Sequence, residues 1–211
     1  MTVAPRAKIQ YPQRNNNIGT MKISHGTTVT LLFILMLAAF PLAAQQPLLS
    51  PRDSTELIIG GRKLFIDYGK PSMRGRVIMG GLVPYNRWWR TGANEATSFR
   101  TESDLIIGGS PLPKGNYTLY TMPSESQWKL MINKQTGQWG TVYTSDLDIL
   151  RLPLKKRILG KPVEKLSITL EKNGKGGGVL RIAWEKTELT LPFNLKKDEA
   201  GQQNAGIRSK K

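Results

Sequence analysis

A period of two constrains this chain more than any other feature of its sequence. KLSITLEK (165–172) sets Leu166, Ile168 and Leu170 on one face of an extended segment. VLRIAWEK (179–186) does the same with Leu180, Ile182 and Trp184, and ELTLPF (188–193) with Leu189, Leu191 and Phe193. Successive side chains of a strand point to opposite faces, so these runs predict half-buried strands, and no stretch after Gln45 carries the three- and four-residue spacing of a helix. NGKGGG (173–178) reads as a hairpin loop between the first two runs, and the short EKT (185–187) as a turn before the last. Upstream, ELIIGGRKLFIDYG, RVIMGG, TSFRTE, DLIIGG, GNYTLYTMP, SQWKLMIN and GTVYT are further β-branched or aromatic runs punctuated by Gly, Pro and Ser. Together they predict an all-β domain, an antiparallel two-sheet sandwich of about ten short strands.

The ends of the chain read differently. MKISHGTTVTLLFILMLAAFPLAAQQ, from Met21, has a basic start at Lys22, an apolar run from Val29 to Phe40 and small residues at Ala43 and Ala44. That is the pattern of a secretory signal, and the apolar run is shorter than the roughly 20 residues a spanning helix needs. Residues 21–44 are therefore expected to be a signal peptide, with translation starting at Met21 and residues 1–20 an upstream extension. Residues 45–54 read as a flexible linker, 55–195 as the domain and 196–211 as a disordered basic tail. The expected location is secreted or periplasmic, with no transmembrane span after cleavage.

Cleavage has a chemical consequence. The only histidine is His25 and there is no cysteine, so the processed chain holds neither an imidazole nor a thiol. Serine–histidine and cysteine–histidine nucleophilic systems are excluded, as are metal sites built on histidine or thiolate. No cofactor and no metal are expected. Charge excludes a further class. Of the formal +16, residues 1–44 carry four basic and no acidic side chains and residues 196–211 five basic and two acidic, which leaves 22 against 13 between Gln45 and Leu195. That excess is scattered among strands and turns, so a soluble basic surface is expected and nucleic acid is not.

Three short motifs read as coincidences. GKPS (69–72) resembles the end of a phosphate loop, but Pro71 blocks the helix start that would cradle phosphate. Asp146 and Asp148 in SDLDI lack further oxygen ligands and read as a solvated turn. Asn116-Tyr117-Thr118 matches a glycosylation acceptor inside a predicted strand.

The segment from DYGKPS (67–72) through GGLVPY (80–85), WRTGANEAT (89–97), LPKGNYTLYT (112–121) and NKQTGQWG (133–140) resembles the DUF2911 family, secreted bacterial proteins of unknown function. The resemblance covers Ile58 to Phe193 and departs from the family pattern at Asn86-Arg87-Trp88. It implies a β-rich envelope domain without an assigned activity.

WWRTGANEAT (88–97) is the candidate site. Arg90, Asn94 and Glu95 can satisfy one another as a buried polar cluster under an indole, or they can face a cleft with Trp88 and Trp89 and bind a polar ligand. The buried Arg90–Glu95 pair is the preferred reading. Tyr68, Arg76 and Trp139 are expected to join the cluster. Two functions follow: a non-catalytic envelope module that binds a glycan, a peptide or a partner protein, or a carboxylate hydrolase using Glu95 with Asp67 or Asp104. The lack of a neutral-range acid or base favours the binding module. The signal reading predicts that terminal sequencing of the protein from the envelope fraction starts within a few residues of Gln45; recovery of Met1 or Met21 would refute it.

Overall fold

The computed structural model describes residues 49–174 and 176–197, so the expected upstream extension, the signal peptide and most of the basic tail lie outside the described residues. The strands are β1 (Arg52–Ile59), β2 (Arg62–Gly69), β3 (Thr97–Thr101), β4 (Leu105–Ile107), β5 (Ser110–Leu112), β6 (Gly115–Met122), β7 (Trp128–Asn133), β8 (Asp148–Lys172) and β9 (Gly177–Leu195). They form one open antiparallel sheet in the order β1-β2-β3-β6-β7-β8-β9-β4-β5. One 3-10 turn, Ser145–Leu147, precedes β8, and no α-helix occurs among the described residues. β1 already starts at Arg52, inside the stretch expected to be linker. Gly60 and Gly61, both at positive φ, make the tight turn into β2, as a two-residue hairpin with right-handed strand twist requires.

The all-β reading holds, and so does the inward face of every run that defined it. Leu166, Ile168, Leu170, Leu180, Ile182, Trp184, Leu189, Leu191 and Phe193 are all buried in one core. The difference lies in how the runs connect. Instead of about ten short strands there are nine, and β8 and β9 are 25 and 19 residues long. EKT is not a turn: β9 runs through it, with Glu185 at φ 52. A residue in this left-handed region rotates the chain, so the inward positions change from even numbers up to Trp184 to odd numbers from Thr187 onward. The matching irregularities in β8 fall between Ile158, Val163 and Ser167. RVIMGG and GTVYT are not strands either. RVIMGG belongs to a compact loop that Ile78 and Val83, both fully buried, hold against the core, with Val83 N–H donating to Ile78 O at 2.9 Å.

β8 joins the sheet in three stretches. Asp148–Leu154 pairs with β7, Lys155–Ile158 with the Thr187–Thr190 part of β9, and Ser167–Lys172 with Gly178–Ala183. Along its last third, alternate amides donate outside β9. Leu166 N–H donates to Pro71 O at 2.9 Å, Ile168 N–H to Tyr68 Oη at 3.1 Å and Leu170 N–H to Thr55 Oγ1 at 3.3 Å. The sheet therefore curls until its first two strands lie over β8, and the edge is satisfied by one backbone bridge, Ser72 with Lys165, and beyond it by side-chain hydroxyls.

Trp184 stacks on Trp89 at 5.8 Å and 18°, and its indole N–H donates to Glu164 O at 3.2 Å. Trp184→Ala removes a 2 % exposed side chain from this junction and is expected to cost about 3 to 5 kcal/mol, read as a lower midpoint in chemical denaturation. An unchanged midpoint would contradict the packing.

Candidate functional site

The WWRTGANEAT turn is fixed from behind by backbone. Trp89 exchanges both of its main-chain hydrogen bonds with Thr121 of β6, at 2.7 and 2.9 Å. Thr91 is fully buried at φ 55, its hydroxyl 3.2 Å from that of Thr121, and its carbonyl accepts from Thr97 Oγ1 at 3.0 Å. A β-branched residue at positive φ is strained, and here bonds on both sides hold it. Two glycines allow the turn to dock. A Cβ on Gly69 would lie 2.0 Å from Ala93 O, and one on Gly140 would lie 2.5 Å from Asn94 O and from Arg90 Cδ. The three stretches DYG, WRTGANEAT and TGQWG thus meet main chain to main chain, which requires these glycines.

In front of the turn lies a cleft of about 370 Å³ lined by Ser50, Pro71, Arg76, Leu82, Trp88, Trp89, Arg90, Gly92, Ala93, Thr141 and Trp184. Trp89 is wedged between Trp184 and Trp128, edge-on to the latter at 6.5 Å. Trp88, 37 % exposed, packs edge-on against Tyr120 at 5.7 Å and tilted against Tyr143 at 5.0 Å. Behind Trp88, Tyr143 donates to Asp148 Oδ2 at 2.6 Å, and burial followed by this carboxylate pushes the phenol up to about 12. Asp148 also accepts from Asn133 Nδ2 at 2.8 Å and Arg151 Nε at 2.9 Å, so the SDLDI carboxylate is a structural hub. Arg90 donates Nε to Gly92 O at 3.2 Å, and Arg76 donates Nε to Met73 O and Nη2 to Ser72 O at 2.9 and 2.8 Å.

Four of the eight residues singled out from the sequence, Arg76, Trp88, Trp89 and Arg90, line this cleft, and four do not. Tyr68 is buried beneath it, accepting from Ile168 N–H and donating to Asp53 Oδ2 at 3.3 Å; burial pushes its hydroxyl up to about 12. Asn94, at φ 62, donates Nδ2 to Ser50 O at 3.1 Å. Glu95 and Trp139 form a backbone bridge to each other, and both are exposed. Sequence reasoning placed Trp184 only in the core and did not single out Ser50, Pro71, Leu82 or Thr141. Nothing local marks these four; they reach the cleft through the curl of the sheet.

The buried Arg90–Glu95 pair does not exist. Glu95 projects outward with its side chain 57 % exposed and meets Arg52, Oε2 to Nη1 at 3.5 Å, while Asp67 pairs with Nη2 of the same guanidinium. Burial pulls Arg52 below the usual arginine range, and Glu95 opposes that shift. Strand alternation does not extend to this residue. Thr97, Phe99 and Thr101 face inward from β3 and the same period would turn Glu95 inward, but the chain passes through a left-handed residue at Asn94, φ 62, and buries Ala96 instead, which leaves Glu95 on the outside. Nothing in this arrangement favours the hydrolase pairing either. Asp67 and Glu95 are both engaged by Arg52, and Asp104 accepts from Lys114 N–H at 2.8 Å in a separate pocket. None of these carboxylates lines the cleft.

Among the described residues no helix is long and apolar enough to cross a membrane. In comparison with known proteins, the family described as "Protein of unknown function (DUF2911)" matches residues 50–193. No curated protein and no solved structure matches.

Separation of Arg90 from Glu95 gives a measurable expectation. In a double-mutant cycle of Arg90→Ala and Glu95→Ala the coupling should stay below about 0.5 kcal/mol, the range of independent sites. Glu95→Gln should leave stability within about 0.5 kcal/mol of the parent, as exposed ion pairs contribute little. A coupling of several kcal/mol would restore the buried pair.

Proposed function

The chain belongs to the DUF2911 family, and from that membership and the cleft we propose that it is a non-catalytic binding module of the bacterial envelope, taking a small polar ligand such as a glycan or peptide, or an envelope partner. The observation that carries this reading is the lining of the cleft: three indoles and two guanidinia, with no carboxylate, histidine or cysteine among them. Trp88, its ring partly exposed, offers a flat apolar face in the same lining as the stacked Trp89 and Trp184, and the guanidinia offer directed donors, a combination that selects a ligand without transforming it. General acid–base work at neutral pH needs a group that titrates there, and this lining supplies none.

The signal-like segment before Gln45 places the module outside the cytoplasm in this reading, secreted or periplasmic.

The test is a tryptophan-fluorescence titration of the purified protein with oligosaccharides and peptidoglycan fragments. A saturable change is expected with at least one class. Trp88→Ala should weaken it by about 1 to 2 kcal/mol, a factor of roughly 5 to 30, with the fold checked by circular dichroism because the ring also packs on Tyr120 and Tyr143. If no ligand class produces saturation, or if Trp88→Ala binds as the parent does, the cleft is not the binding site.

A further inference from the structure

Five arginines among the described residues, Arg52, Arg100, Arg151, Arg157 and Arg181, pair with carboxylates. Arg62, Arg74, Arg76, Arg87 and Arg90 do not, and of these Arg76 and Arg90 line one cavity together. Arg90 and Arg76 form no ion pair among the described residues, and each is oriented by main-chain carbonyls alone: Gly92 O for Arg90, Met73 O and Ser72 O for Arg76. Carbonyls fix the direction of a guanidinium without neutralising it. The remaining N–H groups keep their charge and their fork geometry, which matches an anion two bonds at a time. The loop that carries Arg76 is itself anchored, since Glu185 accepts from Ile78 N–H at 3.4 Å and Met79 N–H at 3.1 Å.

We propose that the cleft is a receptor for an acidic saccharide, a sugar ring carrying a carboxylate or phosphate, with the anion on Arg76 and Arg90 and the ring against the indoles. This rests on the reading of the cleft as a binding site and names the ligand class. Size agrees: about 370 Å³ is at the small end of ligand sites, which span about 300 to 1,000 Å³. A pyranose presents C–H groups on one face and hydroxyls at its rim, which suits Trp88 beside the hydroxyls of Thr141 and Ser50. Peptide capture by strand addition finds no open ladder here. Trp89 N–H and C=O are both bonded to Thr121, and Ala93 N–H is bonded to Gly69 O at 3.2 Å.

The experiment compares methyl β-glucuronide and glucose 6-phosphate with methyl β-glucoside by calorimetry on the purified protein, with N-acetyl-glycylglycine as a peptide carboxylate. At least one acidic sugar should bind about tenfold or more tightly than the neutral one, the ratio of one good charge-assisted contact. That preference should fall toward one in Arg90→Gln and in Arg76→Gln, and survive in Arg100→Gln on the outer face of β3. Circular dichroism checks the fold, and Arg76→Gln, on an exposed side chain, keeps the test valid if Arg90→Gln does not fold. Equal binding of acidic and neutral sugars would overturn the anion preference and leave the cleft as a sugar site. Acidic-sugar binding indifferent to both variants would place the anion elsewhere and overturn the proposal, as would binding of the peptide alone. Failure of every ligand would remove the binding-site reading together with this one.

Discussion

The free edge of β8 is the constraint on which the rest of the structure depends. A strand buried among neighbours cannot leave its amides unpaired, because each lost hydrogen bond in the interior costs about 1 to 3 kcal/mol. β8 has β9 on one side of its last third and no strand on the other. Pro71 O, Tyr68 Oη and Thr55 Oγ1 take its alternate amides, and two of these are side-chain hydroxyls that strands β1 and β2 can deliver only by lying across it. Tyr68 is the most constrained of the three, since its hydroxyl both accepts from Ile168 and donates to Asp53 while 2 % exposed.

Once the sheet has curled, Glu185 couples fold to cleft. Its left-handed backbone changes the parity of β9, so that Trp184 and Leu189 both reach the same core although they are an odd number of residues apart. Its carboxylate takes the amides of Ile78 and Met79 and so fixes the loop that bears Arg76. The residue before it supplies the indole under Trp89. One irregular position thus bears on two groups around the cleft, the Arg76 loop and the Trp184 indole, and irregular backbone is often found beside sites for that reason.

Much of this was legible in the sequence, and the omissions have physical causes. Alternation is a local signal, so the inward faces of KLSITLEK, VLRIAWEK and ELTLPF were readable directly. A change of parity also leaves a local trace, but a turn and a bulge leave the same one, and Glu185-Lys186-Thr187 reads as the turn that it is not. Spacing alone also favoured Arg90 with Glu95, five residues apart on one short turn. The real partner of Glu95 is Arg52, 43 positions away, delivered by a hairpin whose register no local pattern specifies. Trp89 and Arg90 were identifiable because they share a turn with their anchors. Thr141 and Ser50 were not, because only the docking of three glycine-bearing stretches brings them there.

Net charge was the least informative quantity, and the structure shows why. A basic excess counts side chains without saying which are neutralised. Arg181 meets Glu171 and Glu188, and Arg157 meets Glu188 as well, so these arginines of β8 and β9 are answered locally, while the lysines beside them form no ion pair among the described residues. Glu188 is itself buried, so its two guanidinia neutralise a carboxylate that burial would otherwise leave unpaired. The remaining positive field comes from the lysines and guanidinia that lack carboxylate partners among the described residues. Two of those, Arg76 and Arg90, sit beside Trp88, in a cleft whose low-dielectric walls strengthen the attraction for an anion relative to open surface. On the proposed reading of the cleft, selectivity follows from where carboxylates are missing among the described residues, and there that absence coincides with backbone carbonyls that orient each guanidinium.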